Sequence, residues 1–539
     1  MPAMTYQNEQ TRLTYERDGR LDDYHEAYEA AVEAVREDLG GAFPLRIGGE
    51  DVMTDETFTV RNPGDRDEVI GRFAFAEADE VDRAVGAARE ASESWGRRPY
   101  GERVEIFQNA ADVMRDRKFE LSALLTLENG KNRDEAVADV DEAIDFLDFY
   151  SQQLDENDGF IDDTGRPNRW ESTESVLRPY GVFGVIPPFN FPVAITTGMT
   201  AGATVTGNAA VLKPAKRTPR VAHAILDVLE EAGLPDGVVN LVTGKGSATG
   251  QPILDHTDVD GIAFTGSRSV GMAAKRSMLD KNAGPVIAEL GGKNPTVVTE
   301  TADVEAAVEG TWKGAFSYCG QKCSATSRLF AHESVYDEVL EGVVEAAEAI
   351  EVGPAEVEGH FMGPVIEEDA VETYREAIEA ADEADATIAV GGEVLDDGDR
   401  ANGYYVRPTV IADLPEDHWI WGAELFVPIL AVDSYADWDA MIERVNEVEY
   451  GLTGGIFTGE EDDWERFFDE AEIGTVYANR RVSSTTGALV QAQPFVGWKM
   501  SGTTGKAAGG KYYLQQFLRE QSRTVWSPED ETRDPPATK

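Results

Sequence analysis

The chain has 539 residues, 42% of them apolar, which is enough for roughly three or four domain-sized units with large cores. It carries 101 acidic against 48 basic residues, a net charge of −53, so it lacks the basic footprint that nucleic-acid binding requires. Six histidines and two cysteines leave little material for a metal site, and no apolar run approaches the roughly 20 residues of a membrane span.

The acidic residues are spread over the whole chain rather than gathered in a tail. Lysine is scarce, with none between Lys322 and Lys499. An acidic, lysine-poor surface keeps a protein hydrated in concentrated salt, where screening reduces the repulsion between its charges. The opening MPAMTYQNEQ has neither the basic start nor the apolar run of a secretory signal. These features predict a cytoplasmic protein from a halophilic cell.

Helices are predicted for most of the first 150 residues. Tyr24, Tyr28 and Val32 fall on one helical face, and Gly40 ends that helix, so residues 1–45 are expected to form a helical extension. FPLRIGGE and TFTVRNPG then predict short strands with turns. From Asp79 to Tyr150 the pattern is again amphipathic and helical.

Beyond residue 176, apolar strands alternate with helices. SVLRPYGVFGVIPP, AAVLKPA, GVVNLVTG, GIAFTGS and PVIAELGG are predicted strands. This alternation indicates a parallel sheet that is covered on both faces, and its return after residue 291 indicates a second α/β unit. The polar, turn-rich stretch QQLDENDGFIDDTGRPNRW lies outside the pattern and predicts an excursion or a hairpin used between subunits.

The segment SYCGQKCSA, residues 317–325, holds both cysteines of the chain. A disulfide between them is not expected in a reducing compartment, and no CxxC motif or nearby histidine pair completes a zinc site. A lone cysteine is most often a small buried side chain. Gly320 and Ser324, however, suit an exposed turn, and Lys322 can favour a thiolate. Cys323 is therefore a candidate nucleophile, and Cys319 a core residue or a resting-state redox partner.

Two other motifs supply partners for a nucleophile. In PPFNFP, residues 187–192, prolines hold Asn190 in a rigid turn, where its amide can stabilise an oxyanion. The alternative is an ordinary cap of the following helix. In AELGG, residues 288–292, Glu289 ends an apolar strand and can activate water as a general base. The alternative there is a solvated strand end.

Three stretches are candidates for binding a dinucleotide. TGKGSATG contains a GxGxxxG pattern, which departs from the dinucleotide fingerprint and is weak by itself. FTGSRSVG, residues 264–271, follows a strand and opens a helix, so Gly266 and Ser267 can offer backbone N–H groups to a pyrophosphate. Lys213, in VLKPAKRTP, ends a strand, where α/β sheets bind ligands.

The order of these motifs resembles the aldehyde dehydrogenase superfamily over roughly residues 21 to 525, most specifically in ELGGKNP and GQKCSA. Residues 486–510 and 130–146 are similar to one subgroup, the delta-1-pyrroline-5-carboxylate (L-glutamate γ-semialdehyde) dehydrogenases. The resemblance implies an α/β fold with a Rossmann-type cofactor domain, a second α/β catalytic domain and a small β oligomerisation arm. The implied boundaries are 46–154 and 178–290 for dinucleotide binding, 291–482 for catalysis, and 155–177 with 500–530 for the arm.

The resemblance also implies the reaction. L-Glutamate γ-semialdehyde would be oxidised to L-glutamate with NAD, in proline catabolism, through a thioester on Cys323. Asn190 would hold the oxyanion and Glu289 would activate the hydrolytic water. The implied cofactor residues are Lys213, Lys216, Gly266, Ser267, Glu424, Phe426 and Pro188. The implied substrate residues are Glu135, Phe189, Lys322, Ser324, Gly487, Ala488 and Phe495, and no metal is expected.

Some positions depart from the family pattern and leave alternatives open. Pro187 and Phe189 replace a serine and a tryptophan, and Val427 and Val496 replace glycines. Lys216 with Arg217 can accept a 2′-phosphate, which makes NADP an alternative to NAD, unless both are plain surface charges.

Two other activities stay open. The substrate can be another carboxylated semialdehyde, of succinate or 2-oxoglutarate. The chain can also be a thiol esterase that needs no cofactor. The partners expected are the aldehyde, the dinucleotide and further copies of the chain, as a dimer or higher homo-oligomer, with no membrane and no nucleic acid.

Overall fold

The computed structural model describes residues 8–9, 11–281, 284–481 and 489–527. These residues contain fifteen α-helices. They are α1 (Thr11–Arg17), α2 (Leu21–Glu37), α3 (Ala78–Trp95), α4 (Tyr100–Asp116), α5 (Lys118–Asn129), α6 (Arg133–Glu156), α7 (Ala194–Val205), α8 (Pro219–Glu231), α9 (Gln251–Asp255), α10 (Arg268–Asp280), α11 (Val304–Phe316), α12 (Tyr336–Glu348), α13 (Glu368–Glu383), α14 (Trp438–Asn446) and α15 (Glu461–Glu470). None of these helices has the length and apolar character that crossing a membrane requires.

The same residues contain 24 strands. They are β1 (Ala42–Phe43), β2 (Leu45–Ile47), β3 (Glu50–Val52), β4 (Thr57–Asn62), β5 (Asp65–Ala74), β6 (Ile161–Gly165), β7 (Glu171–Pro179), β8 (Val182–Ile186), β9 (Ala209–Leu212), β10 (Val239–Leu241), β11 (Gly261–Thr265), β12 (Val286–Glu289), β13 (Asn294–Val298), β14 (Thr326–His332), β15 (Thr387–Val390), β16 (Val394–Leu395), β17 (Tyr405–Val406), β18 (Thr409–Ala412), β19 (Ile429–Tyr435), β20 (Tyr450–Gly451), β21 (Thr453–Phe457), β22 (Thr475–Ala478), β23 (Trp498–Lys499) and β24 (Leu518–Trp526).

The first large sheet has seven strands in the order β12-β11-β8-β9-β10-β2-β3. Strands β8 to β12 run parallel, and β2 and β3 add an antiparallel edge. Every residue of β8 and β9 is buried. Their sequences, VFGVI and AAVL, are the continuous apolar runs expected of strands with helices on both faces. The parallel sheet that the sequence predicts is therefore confirmed.

The second large sheet also has seven strands, in the order β15-β18-β19-β14-β13-β21-β22. All its neighbours pair in parallel except β15, which pairs antiparallel with β18. A large apolar cluster around β13, β14 and β19 forms its core, separate from the clusters on the two faces of the first sheet. The second α/β unit predicted after residue 291 is thus present.

Two smaller parts complete the fold. Helix α2 buries Tyr24, Tyr28 and Val32 against the α5 helix and strand β5, which confirms the helical face predicted there. Strand β24 pairs with β7 over nine residues, and β6 flanks β7, so a three-stranded antiparallel sheet joins two distant parts of the chain. Val525 and Trp526 on this sheet are 60% and 57% exposed.

Candidate active site

The loop that carries Cys323 lies between α11 and β14, in the second α/β unit. It begins with a tight turn in which Tyr318 and Cys319 have left-handed backbone conformations, with φ of 47° and 55°. The Asn294 side chain donates a hydrogen bond to the Cys323 carbonyl at 2.7 Å. A Cβ atom at Gly292 would lie 2.3 Å from that same carbonyl oxygen. The glycine of the ELGG motif therefore permits the two loops to touch.

A cavity of about 60 Å³, the inner cavity, brings four predicted residues together: Glu289, Cys323, Ser324 and Phe495. The rest of its lining is mostly apolar and aromatic, and consists of Glu142, Phe146, Tyr150, Phe191, Ile195, Gly198, Met199, Thr265, Ala508 and Tyr513. The Ser324 hydroxyl is buried without a hydrogen-bond partner among the described residues. The cavity therefore combines a thiol, two carboxylates and a free hydroxyl with mostly apolar walls.

Burial controls the protonation of the thiol and the carboxylate. It raises the pKa of Cys323, and the charges of Glu424 and Glu289 raise it further. It also raises the pKa of Glu289 well above its ordinary value, although the Gly497 N–H donates to this carboxylate at 3.2 Å and opposes the shift. Both groups favour their neutral forms in the free protein, so each becomes a strong base once it has lost its proton.

The expectation that Lys322 favours the thiolate is wrong for this structure. The Lys322 ammonium lies 3.7 Å from the Glu135 carboxylate, and burial lowers its pKa. Burial, Glu424 and Glu289 raise the pKa of the Cys323 thiol, and the backbone N–H groups of Cys323 and Ser324 oppose this shift. Lys322 and Glu135 both line a larger outer cavity of about 550 Å³, so the pair borders the approach to the site.

The turn that contains Asn190 follows strand β8, and Asn190 is buried in it. Helix α7 begins at Ala194 without a side-chain cap, so the interpretation of Asn190 as a helix cap is wrong. The Asn129 side chain donates to the Phe189 carbonyl at 2.6 Å and holds the turn. Phe191, the residue after Asn190, lines both the inner and the outer cavity.

The predicted aromatic wall is formed by a different residue. The sequence places Phe189 against the substrate, but its ring meets the Phe426 ring at a centroid distance of 5.8 Å. Phe191, two residues later, borders the thiol cavity instead. The chain bends at residues 189–191, so the two rings do not share the face that an extended segment would give them.

Most of the predicted cofactor residues gather at one edge of the first sheet. Pro188 follows β8, Lys213 follows β9, and Gly266 with Ser267 follows β11, and these three strands are neighbours. Ser267 begins helix α10 without a side-chain cap, so the helix N–H groups stay available to an anion. Lys213 is buried, which lowers its pKa to about 8. The carboxyl edge of a parallel sheet is where such folds bind nucleotides.

The remaining cofactor candidates come from elsewhere. Glu424 accepts a hydrogen bond from the Gly292 N–H at 2.8 Å, and burial raises its pKa to about 7. Phe426 and Val427 share a small cavity with Glu424 and Lys322. The 2′-phosphate hypothesis is weakened, because Arg217 is ion-paired with Glu367. Lys216 has no carboxylate partner within 4 Å in the described part of the chain.

Sequence reasoning missed Glu142, which borders both the inner and the outer cavity. Burial raises the pKa of Glu142 well above its ordinary value, and the charge of Asp139 adds to this. Among the described residues, no side chain pairs with the carboxylate by hydrogen bond or salt bridge. A signal existed, since Glu135, Asp139 and Glu142 are spaced by four and three residues and share a face of α6.

Two predicted residues, Gly487 and Ala488, lie outside the described residues. Their neighbour Leu489 lines the outer cavity. Val496 replaces a glycine. The Thr475 hydroxyl accepts from the Val496 N–H at 3.1 Å and donates to the Val496 carbonyl at 3.4 Å. No contact in the described structure explains the valine at this position.

Comparison with known proteins shows which protein family has this fold and this site. The sequence model of the aldehyde dehydrogenase family matches residues 52–523. The chain belongs to the aldehyde dehydrogenase family. The predicted resemblance and α/β fold class are therefore confirmed.

Among aldehyde dehydrogenases, the chain is similar to 1-pyrroline-5-carboxylate dehydrogenases. A 1-pyrroline-5-carboxylate dehydrogenase of Anoxybacillus flavithermus is 41% identical over 504 residues, which cover 93% of this chain and 95% of that protein. The 1-pyrroline-5-carboxylate dehydrogenase 2 of Bacillus subtilis is 41% identical over 508 residues, covering 93% and 96%. The structure of the Thermus 1-pyrroline-5-carboxylate dehydrogenase with bound NAD superposes with a TM-score of 0.91 at 36% identity, covering 98% of this chain and all of that one.

Proposed function

We propose that this aldehyde dehydrogenase oxidises L-glutamate γ-semialdehyde, the open form of 1-pyrroline-5-carboxylate, to L-glutamate with NAD, as a step of proline catabolism. The observation that carries the proposal is the inner cavity. It holds the Cys323 thiol and the Glu289 carboxylate between aromatic rings, in a chain 41% identical to 1-pyrroline-5-carboxylate dehydrogenases.

The chemistry follows from the groups in this cavity. Cys323 loses its proton to solvent, and its sulfur forms a bond to the aldehyde carbon as the carbonyl π bond breaks and leaves an oxyanion. The oxyanion is held by the Asn190 amide and the Cys323 backbone N–H. Bound NAD would supply the acceptor for the hydride that leaves the aldehyde carbon, and Cys323 would then hold the acyl group as a thioester. Glu289 then removes a proton from water, the hydroxide adds to the thioester, and the carbon–sulfur bond breaks to release the acid.

The cavity also suits the charges of this substrate. The Ser324 hydroxyl, buried and unpartnered in the described structure, can donate to the substrate carboxylate, and Lys322 borders the approach. Glu142 offers a carboxylate to the substrate ammonium. Phe191 and Phe495 pack against the methylene groups between the two ends. Gly487 and Ala488 stay predicted contacts of the carboxylate.

The residues at the carboxyl edge of the first sheet fit a dinucleotide. The Gly266 N–H is already used, because it donates to the Glu289 carbonyl at 3.2 Å. The uncapped start of α10 at Ser267 leaves the first N–H groups of that helix open to a pyrophosphate. Lys213 and Glu424 would hold the riboses. Arg217 is held by Glu367, which favours NAD over NADP. We assign cofactor binding to residues 46–154 and 178–290, and catalysis to residues 291–482.

We further propose a homo-oligomer in the cytoplasm of a halophilic cell. The three-stranded sheet of β6, β7 and β24 projects apolar side chains that nothing in the described chain covers, and Trp170 packs on Trp526 with ring centroids 5.5 Å apart. Such a surface suits a second copy. Light scattering in molar salt should give a dimer or a larger assembly, and a monomer would contradict this assignment.

The substrate is tested with a panel in molar salt. The semialdehydes of glutamate, succinate and 2-oxoglutarate are each offered with NAD and with NADP. We expect the highest kcat/KM for the glutamate compound with NAD. An equal response to all three acids would remove the substrate assignment, and hydrolysis of an activated ester without any cofactor-dependent oxidation would favour the thiol esterase.

The thioester is tested with two variants. Glu289→Gln should release about one NADH per site and then turn over about 100-fold or more slowly than the wild type, because water is no longer activated. Mass spectrometry of this variant should find the acyl group on the Cys323 peptide. Cys323→Ser should lack the burst, and a Cys323→Ser protein that reduced NAD at the wild-type rate would refute the scheme.

A further inference from the structure

Lys131 and Asp139 form an ion pair that is hidden from solvent beside the active site. The Lys131 Nζ lies 2.7 Å from Asp139 Oδ2, and the two side chains are 1% and 0% exposed. A buried ion pair gives little net stability compared with apolar residues of the same volume. Its role is therefore to be sought in the parts of the chain that it holds.

Both partners contact the turn that carries Asn190. The second oxygen of Asp139, Oδ1, accepts the Ala194 N–H at 2.7 Å, at the first residue of α7. The Lys131 ammonium lies 3.6 Å from the centre of the Phe191 ring, which is close enough for a cation–π interaction. The pair therefore holds the Asn190 turn through the Phe191 side chain and through the Ala194 backbone.

The same ammonium also contacts the loop that carries Cys323. It lies 4.9 Å from the centre of the Tyr318 ring. The Tyr318 hydroxyl donates to the Asn129 carbonyl at 3.2 Å, and the Asn129 amide in turn donates to the Phe189 carbonyl. Tyr318 has a left-handed backbone, so this turn is held in place by its contacts rather than by its own preference.

We propose that the Lys131–Asp139 pair positions the Asn190 turn against the Cys323 loop, so that the oxyanion-binding amide and the sulfur keep the separation that the reaction needs. The proposal rests on the function proposed above. Neither residue lines the inner cavity that holds the Cys323 sulfur, so each would act through Asn190 and Cys323. Both are thus positioning residues, and they should affect turnover more than binding.

The test uses Asp139→Asn in the full-length protein. This change keeps one acceptor for the Ala194 N–H but removes the charge opposite Lys131. Because a misplacement of about 1 Å can cost about 100-fold in rate, we expect kcat to fall about tenfold or more. The KM for the aldehyde, the Kd for NAD and the rate of Cys323 alkylation by iodoacetamide should stay within about twofold, since none of them needs Asn190.

A matched control has its carboxylate on the same helix, α6, and its lysine at the start of α5. Lys118 and Asp141 form another buried pair, 2.6 Å apart and 6% and 12% exposed, which touches neither loop. Lys118→Met should lower the Tm but leave kcat near the wild-type value. If the lone Lys131 charge prevents Asp139→Asn from folding, the double variant Lys131→Met/Asp139→Asn removes both charges and is measured instead, with the same expected loss of kcat.

The outcomes separate the two proposals. A kcat within about twofold of the wild type, in Asp139→Asn or in the double variant, would overturn the positioning role. So would a parallel loss of kcat, NAD binding and Cys323 alkylation, which indicates general damage. If the wild type oxidises succinate semialdehyde but not the glutamate compound, the proposed substrate fails, and the kcat comparison is made on succinate semialdehyde.

Discussion

At the scale of single residues, the carboxylate of Glu142 gives the cavity a means of selecting an amine. It borders both cavities, and burial raises its pKa, so a substrate ammonium beside it would be strongly favoured. The aromatic residues around it contribute apolar contact only. Selectivity for an amino acid semialdehyde over a simple carboxylated aldehyde should therefore depend on this one group.

Glu142→Gln tests this directly. A hydrogen bond between charged groups is worth about 1.5–3 kcal/mol, so kcat/KM for L-glutamate γ-semialdehyde should fall about 10- to 100-fold. Glutarate semialdehyde has the same chain without the amine, and its kcat/KM should change little. Asp134→Asn, which removes a charge from the outer cavity only, is the control variant. An equal loss on both substrates would mean that Glu142 acts on something other than the ammonium.

At the scale of elements, the sequence predicted most of the buried strands and the turns that follow them. Apolar runs such as VFGVI and AAVL predicted the buried parallel strands, and the glycines after β11 and β12 marked the turns at their ends. These features are local, since they depend on the period of apolar residues and on backbone preference. The positions of Glu289 and Ser267 at element ends followed from them.

The pairing between elements could not be predicted in the same way. Helical periodicity placed Glu135, Asp139 and Glu142 on one face of α6, but not what that face meets. Lys322 was expected to act on the adjacent thiol and is instead next to Glu135, which is distant in sequence. The choice between Phe189 and Phe191 likewise depended on the path of one turn. Such contacts depend on how helices and sheets pack.

The contact between the ELGG loop and the cysteine loop leads to a prediction about Gly292. A methyl group there would lie 2.3 Å from the Cys323 carbonyl oxygen, so Gly292→Ala must push the two loops apart. We expect kcat to fall about tenfold or more, because small displacements of reacting groups are costly. The control is Gly86→Ala in helix α3, where an added Cβ meets nothing within 4 Å. A fully active Gly292→Ala enzyme would show that this contact is not needed.

At the scale of the whole molecule, charge is the dominant feature. The two large sheets have apolar cores, but with a net charge of −53 the acidic side chains repel one another at low ionic strength. Arginine supplies most of the described ion pairs, for example Arg115 with Glu9 and Arg46 with Asp227. Each pair joins one charge of each sign, so the 48 basic residues together still leave the net charge of −53 uncompensated. We expect salt to screen the repulsion that this excess causes.

The salt prediction follows from the range of that repulsion. The Debye length falls from about 10 Å at 0.1 M salt to about 3 Å at 1 M, so Tm and activity should rise steeply between these concentrations. Thermal unfolding and NADH production are measured in KCl from about 0.02 M to about 3 M, a range that includes both of these salt concentrations. If screening is the whole cause, the rise should level off near 1 M, and NaCl should act like KCl. If it continues to 3 M, preferential hydration of the acidic surface contributes as well. Full activity and an unchanged Tm in dilute buffer would contradict the halophilic assignment, while leaving the chemistry at Cys323 untouched.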